Sequence, residues 1–188
     1  MINSDTTECD SLPQKKSAKT NIVFIGMAGA GKSTVGKELA PLLGLKFVDV
    51  DILIEEDQKM PLQKLLEDIG VDKFREVEEK ILLSIECQQH VIATGGSAIY
   101  SQAGLSHLQK NSVMVLLDVE LEILKQRVDD FSSRGLVKTA SQSFTEVFQE
   151  RQPLYLKNAD LIIRCHEHSV ADICASIMVR LSDSSYHF

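Results

Sequence analysis

The chain has 188 residues, of which 44% are hydrophobic and 25% charged, enough for one domain with a substantial buried core. Its formal net charge of −7 excludes a protein drawn to nucleic acid or to an anionic membrane by its overall field. Four cysteines without C-x-x-C spacing make neither a disulfide scaffold nor a thiolate metal site, and no apolar run reaches membrane-spanning length, so a reducing, cytoplasmic setting is expected.

Residues 1–20 are polar, with neither the apolar core of a secretory leader nor the Arg-rich, acid-poor composition of a transit peptide. They are expected to form a disordered tail ahead of a single domain over 21–182. The apolar run Ile22–Ile25 then leads into Gly26-Met27-Ala28-Gly29-Ala30-Gly31-Lys32-Ser33-Thr34, which is G-x-x-x-x-G-K-[ST] between a strand and a helix. The backbone amides of Gly29, Ala30, Gly31, Lys32, Ser33 and Thr34, backed by the positive end of a helix, make a concave site for phosphate oxygens. Lys32 can reach the outer phosphates as a point charge, and the Ser33 hydroxyl can ligate Mg²⁺. The helix from Lys32 to Leu43 carries Val35, Leu39, Leu42 and Leu43 on one face, and Pro41 should kink or shorten its last turn.

Phe47–Val50 reads as a second strand, ending in Asp49-Val50-Asp51. Alternation at a strand end lets both carboxylates face one cleft, one in a Mg²⁺ shell and one accepting a proton from an attacking hydroxyl. An equal alternative is that Asp51 caps the next helix. Leu62–Glu86 is helical with a break at Gly70. There Arg75 stands three and four residues before Glu78 and Glu79, a spacing for a surface ion pair or for an Arg fork presented to a carboxylate. Val91–Thr94 is the third strand, and Gly95-Gly96-Ser97 after it reads as a tight turn or a close backbone approach to a ligand. Val113–Leu117 ends in Asp118, expected to cap the helix Glu120–Val128 or to touch metal-bound water. Residues 127–151 hold Arg127, Arg134, Lys138 and Arg151 among turn formers, which suits either a lid or a solvated loop. Arg151 is expected at the end of a helix stopped by Pro153. Leu161–Ile163 and the helix Val170–Leu181 close the chain, with Cys165 and Cys174 as buried thiols. Strands alternating with helices predict an α/β, three-layer fold: a five-stranded parallel sheet with helices on both faces and a ligand site beyond the strands' carboxyl ends.

The order G-x-x-G-A-G-K-S-T, L-G-x-x-F-x-D-x-D, F-R-x-x-E, A-T-G-G, E-R-x-P-L-Y and A-D resembles the shikimate kinase family, among the nucleoside-monophosphate-kinase-like phosphate-loop kinases, from about Asn21 to Ile163. The resemblance implies sheet order 2-3-1-4-5 and transfer of the γ-phosphoryl of ATP to a hydroxyl of shikimate, with Mg²⁺. It implies that Lys32 and the amides of residues 29 to 34 hold the phosphates, and that Ser33 and Asp49 serve the metal. Asp51 would bind and activate the substrate hydroxyl, Arg75 and Arg151 would hold its carboxylate, Gly95 and Gly96 would contact it through backbone, and Arg134 would be the lid arginine on ATP. Within the kinase domain at 21–182, the substrate-binding segment falls at about 52–78 and the lid at about 127–145. The implied partners are ATP and a small carboxylated alcohol, with no nucleic acid or membrane, acting on a monomer.

Two departures stand out. Ser97 replaces the family's third glycine, and Ser disfavours positive φ, which predicts an altered loop. The lid reads Arg134-Gly135-Leu136-Val137 instead of R-P-L-L, which predicts a looser lid. A same-fold kinase for gluconate or homoserine, or an inactive nucleotide-binding module, are the competing readings. A GTPase switch, a transporter ATPase and a nucleoside monophosphate kinase each lack their diagnostic segments.

Overall fold

A computed structural model of the chain describes residues 19–127, 137–138, 142–165 and 169–183. Residues 1–18 of the expected tail at 1–20 and Arg134 lie outside the described residues.

Five strands, β1 (Asn21–Ile25), β2 (Lys46–Asp49), β3 (His90–Ala93), β4 (Ser112–Asp118) and β5 (Leu161–Arg164), pair in parallel in the order β2-β3-β1-β4-β5. The expected strands are therefore all present, within a residue or so of their predicted bounds. Phe24 lies opposite Ala93 on one side and Val115 on the other, so β1 is the central strand. β1 is buried throughout and β4 through six of its seven residues, as strands covered on both faces should be. The continuous-burial reading is corrected at the two edges. Lys46 of β2 and Arg164 of β5 are exposed, because each edge strand has one open side.

Between the strands lie α1 (Lys32–Leu42), α2 (Val50–Gln58), α3 (Leu62–Ser84), α4 (Gln102–Gln109), α5 (Leu121–Arg127), α6 (Phe144–Asn158) and α7 (Val170–Asp183), with a short 3₁₀ turn at Ala98–Tyr100. α1 ends one residue after Pro41, as predicted. α3 is interrupted at Gly70, whose φ of 78° and ψ of 171° are not helical. Pro153 does not stop α6, contrary to expectation. The helix runs five residues beyond it. An interior proline costs about 3 kcal/mol, but α6 is held on both sides of it by the buried Arg151 and Tyr155 and starts with a Ser143–Glu146 capping box. Burial of the anchored faces outweighs the local preference.

The core lies along β1, β3 and β4, where Ile22, Phe24, Ile92, Val113 and Val115 are fully buried. Cys165 and Cys174 are buried free thiols, as expected. At the amino end of the sheet, the Thr20 and Asn21 amides both donate to the Asn111 carbonyl, at 2.9 and 3.0 Å. Lys19 pairs with Asp160 at 2.7 Å, and Asp160 also accepts from the Met114 amide at 2.9 Å.

Candidate active site

All five strands point the same way, so the residues that follow them gather at one end of the sheet. The loop after β1 turns through three glycines at positive φ, with Gly29 at 82° and Gly31 at 94°. Side chains rarely adopt this conformation, which is why the turn needs glycine. Gly31 opens α1, and its carbonyl accepts from the Val35 amide at 2.8 Å. Lys32 is buried, and its Nζ donates to the carbonyls of Gly26 (2.7 Å) and Met27 (2.8 Å). Burial pulls its ammonium down to about 8, against the raising charges of Asp51 and Asp49.

After β2 the capping role falls to Asp49, not Asp51. The Asp49 carboxylate accepts from the Asp51 amide at 3.1 Å and N-caps α2. Asp51 is thereby left with its carboxylate on the cavity wall. Burial, then the neighbouring Asp49 charge, pushes it up to about 6, with Lys32 opposing.

After β3, the Thr94 hydroxyl donates to the Phe24 carbonyl at 2.9 Å and closes the backbone onto β1. At Gly95 a Cβ would lie 2.5 Å from Glu78 Oε1 and 2.9 Å from Asp51 Oδ1, so two carboxyl groups converge where only glycine leaves room. A Cβ at Gly96 would stand 3.0 Å from Arg151 Nη1, and the Gly96 carbonyl accepts from the Tyr155 hydroxyl at 2.6 Å. Ser97 has φ −86° and ψ −13°, so its Cβ costs nothing here. The expected distortion is absent because this position never needed positive φ.

Arg151 is 1% exposed. Its Nη2 donates to the Val137 carbonyl, and its Nε donates to the Tyr100 hydroxyl at 3.3 Å. Arg75 is not ion-paired with Glu78 or Glu79 among the described residues. Glu79 instead accepts from the Ser101 hydroxyl at 2.6 Å, while the Arg75 guanidinium stacks on Tyr100 with its carbon 3.9 Å from the ring centroid. Glu78 is 1% exposed, with Oε1 unpartnered. Burial pushes it up to about 7, with the Ser97 hydroxyl, Arg151 and Arg75 pulling the other way. Asp118 neither caps α5 nor reaches the site. It accepts from Gln152 Nε2 at 2.8 Å, pinning α6 to β4.

One cavity of about 750 Å³ unites these groups. Gly29 to Thr34, Asp49, Asp51, Gly95, Gly96 and Arg151 all line it, while Arg75 stands behind that wall, joined to Arg151 through the Tyr100 ring they share. Arg127 also lines the cavity. Sequence reading placed Arg127 in a basic stretch without assigning it to the site. Sequence reasoning misses Tyr100 altogether and reaches Glu78 only as a helical partner for Arg75. The only available signals were the repeated acid after F-R and the aromatic four residues past Gly96.

A phosphate cradle and an acid-and-arginine pocket that share one cavity, on a parallel sheet of this order, define a small-molecule kinase of the phosphate-loop class. The family model described as Shikimate kinase matches residues 28–182. A shikimate kinase of Sulfurihydrogenibium sp. (strain YO3AOP1) is 35% identical over 162 residues, covering 86% of this chain and 97% of that protein. A shikimate kinase of Pasteurella multocida (strain Pm70) is 34% identical over 170 residues, covering 88% and 97%. The solved shikimate kinase from Acinetobacter baumannii in complex with shikimate superposes with a TM-score of 0.83 at 28% identity, covering 92% of this chain and 97% of that one. The chain belongs to the shikimate kinase family.

Proposed function

We infer that this chain phosphorylates a hydroxyl of shikimate with ATP. The observation that carries this reading is the single cavity, walled by the phosphate cradle together with Asp51, Gly95, Gly96 and Arg151. The acceptor oxygen attacks the γ-phosphorus, the bond from that phosphorus to the ADP oxygen breaks, and the hydroxyl proton passes to the Asp51 carboxylate. A carboxyl held at about 6 is ionised at neutral pH yet basic enough to take a proton. Lys32 and the amides of Gly29, Ala30, Gly31, Ser33 and Thr34 bind and orient the phosphates. Arg151 and Arg75 hold the substrate carboxylate, because a planar guanidinium matches it in a fork. Arg134 is assigned as the lid arginine on ATP within the lid at about 127–145, the substrate segment is about 52–78, and the kinase unit runs over 21–182.

Mg²⁺ is the cofactor that the donor set suits. Ser33 and Asp49 offer hard oxygen atoms on the cavity wall, and a divalent cation beside them would relieve the repulsion that Asp49 exerts on Asp51. Among the described residues no group of three or more His, Cys, Asp and Glu could form an all-protein cage, in keeping with a cation shared with nucleotide phosphates. Bound there, Mg²⁺ would neutralise phosphate charge during transfer. A monomer is the accompanying expectation, and dependence on ATP supports the cytoplasm.

The test is ADP release with Mg-ATP against shikimate, quinate, gluconate and homoserine. Turnover with shikimate well above the other three is expected. Turnover with gluconate or homoserine alone would move the substrate assignment, and turnover with none would leave a nucleotide-binding module.

A further inference from the structure

We propose that Tyr100 is a positioning and specificity-determining residue, whose ring holds Arg75 and Arg151 side by side while leaving both uncommitted to an acidic side chain, so that they prefer a planar carboxylate. The inference rests on the substrate reading above. The Arg75 and Arg151 guanidinium carbons lie 3.9 and 5.2 Å from the Tyr100 ring centroid. Two cations sharing one ring repel each other and would ordinarily recruit a carboxylate. Two nearby acids are engaged elsewhere: Glu79 accepts from Ser101 at 2.6 Å, and Glu150 accepts from the Tyr100 hydroxyl at 2.7 Å and from Gln142 at 2.8 Å. Glu78, whose charge both arginines feel, is ion-paired with neither among the described residues. An acidic partner would occupy the in-plane N–H donors of a guanidinium. A π face attracts the cation from above and leaves the in-plane donors of Arg75 open, while Arg151 gives Nε to the Tyr100 hydroxyl and Nη2 to the Val137 carbonyl and keeps Nη1 beside Gly96. Arg75 Nε is in fact buried without an acceptor. This is the state in which an incoming carboxylate gains most.

Tyr100 is held firmly enough for the task. Its amide donates to the Ser97 carbonyl at 3.0 Å, and the adjoining Ala98 and Ile99 are buried. The Ser101 amide donates to the Ala98 carbonyl at 3.1 Å and the Ser101 hydroxyl accepts from the Gly104 amide at 2.9 Å, so the turn is tied to α4 on its far side. The same turn follows directly from Gly95-Gly96, so one short segment places both the substrate-facing backbone and the ring that orients the arginines.

The experiment compares wild type with Tyr100→Leu, which removes the ring, and Tyr100→Phe, which keeps it. Thermal unfolding first establishes that each variant folds. Binding of shikimate and of its carboxamide is then titrated directly, with kcat and KM for shikimate alongside. Tyr100→Leu is expected to weaken shikimate binding about tenfold and carboxamide binding less than about twofold, raising KM more than it lowers kcat. Tyr100→Phe is expected to stay within about threefold of wild type for both ligands. Should Tyr100→Leu fail to fold, Tyr100→Gln carries the same expectation. Equal weakening of both ligands, unchanged shikimate affinity in the ringless variant, or a Phe variant as weak as the Leu variant overturns the inference alone. A wild-type protein that does not bind shikimate overturns the substrate reading and this inference with it.

Discussion

Replacing Glu78 with Gln removes a charge and keeps the shape of the most enclosed carboxyl in the site. Glu78 is 1% exposed and is held near 7 instead of 4.5, chiefly by burial. A group whose folded value is raised stabilises the fold fully below its unfolded value and loses that contribution as pH rises through the folded value. The window here runs from about 4.5 to about 7, and the cost of ionising Glu78 in place is about 3 kcal/mol. Glu78→Gln has no such cost. The difference in urea-unfolding free energy between the two proteins should therefore move in the variant's favour by about 3 kcal/mol between pH 5 and pH 8. In a protein of this size that corresponds to a relative Tm shift on the order of 6–12 °C. Asp51 titrates in part of the same window but is present in both proteins, so it cancels to first order. A difference that stays constant across this range would refute the reasoning, since the buried carboxyl would then be ionised throughout.

Lys32→Ala should lower kcat/KM for ATP by about a hundredfold or more while leaving the urea midpoint nearly in place, because the ammonium acts on phosphate charge; steady-state kinetics on folded protein checks it. Asp51→Asn should lower kcat by roughly 10²–10⁴-fold with ATP binding retained. In the wild type, kcat/KM should fall as pH drops through about 6, the value to which burial and Asp49 raise Asp51, and a flat acid limb would remove Asp51 as the base. Gly95→Ala puts a methyl group 2.5 Å from Glu78 Oε1 and 2.9 Å from Asp51 Oδ1. It should cost at least about tenfold in kcat/KM with a smaller change in KM for ATP. Wild-type kinetics in that variant would mean the two carboxyl groups do not need to converge there.

The parts of the site that could be read from sequence are those written in adjacent residues. The Gly26–Thr34 loop carries its own turn chemistry, and Asp49 and Asp51 sit side by side where β2 passes into α2, although the cap at Asp49, not strand alternation, sets their arrangement. The remainder depends on which residues meet across the fold. Nothing local to Glu78 says that an acid on a helix will be 1% exposed, because α3 reads there as a charged face. Arg75 was read against Glu78 and Glu79 because helical spacing favours such pairs, whereas its stacking partner, Tyr100, arrives from a turn twenty-five residues away. Pro153 misled for the opposite reason. The local rule is sound, but tertiary anchoring of Arg151 and Tyr155 overrides it. Ser97 looked costly only on the assumption of positive φ, and the backbone at that position has negative φ.

The contacts of Lys19, Thr20 and Asn21 around Asn111 and Asp160 fix where the chain enters the sheet. Entry is at the amino end of β1, and the phosphate loop leaves from its carboxyl end five residues later, about 16 Å away. A surface tether or a fluorophore attached at Lys19 would thus sit at the end of the sheet opposite the substrate mouth. Immobilised or labelled protein made in that way should keep its cavity open to solution, and the amino-terminal side is the natural handle for binding measurements on this enzyme.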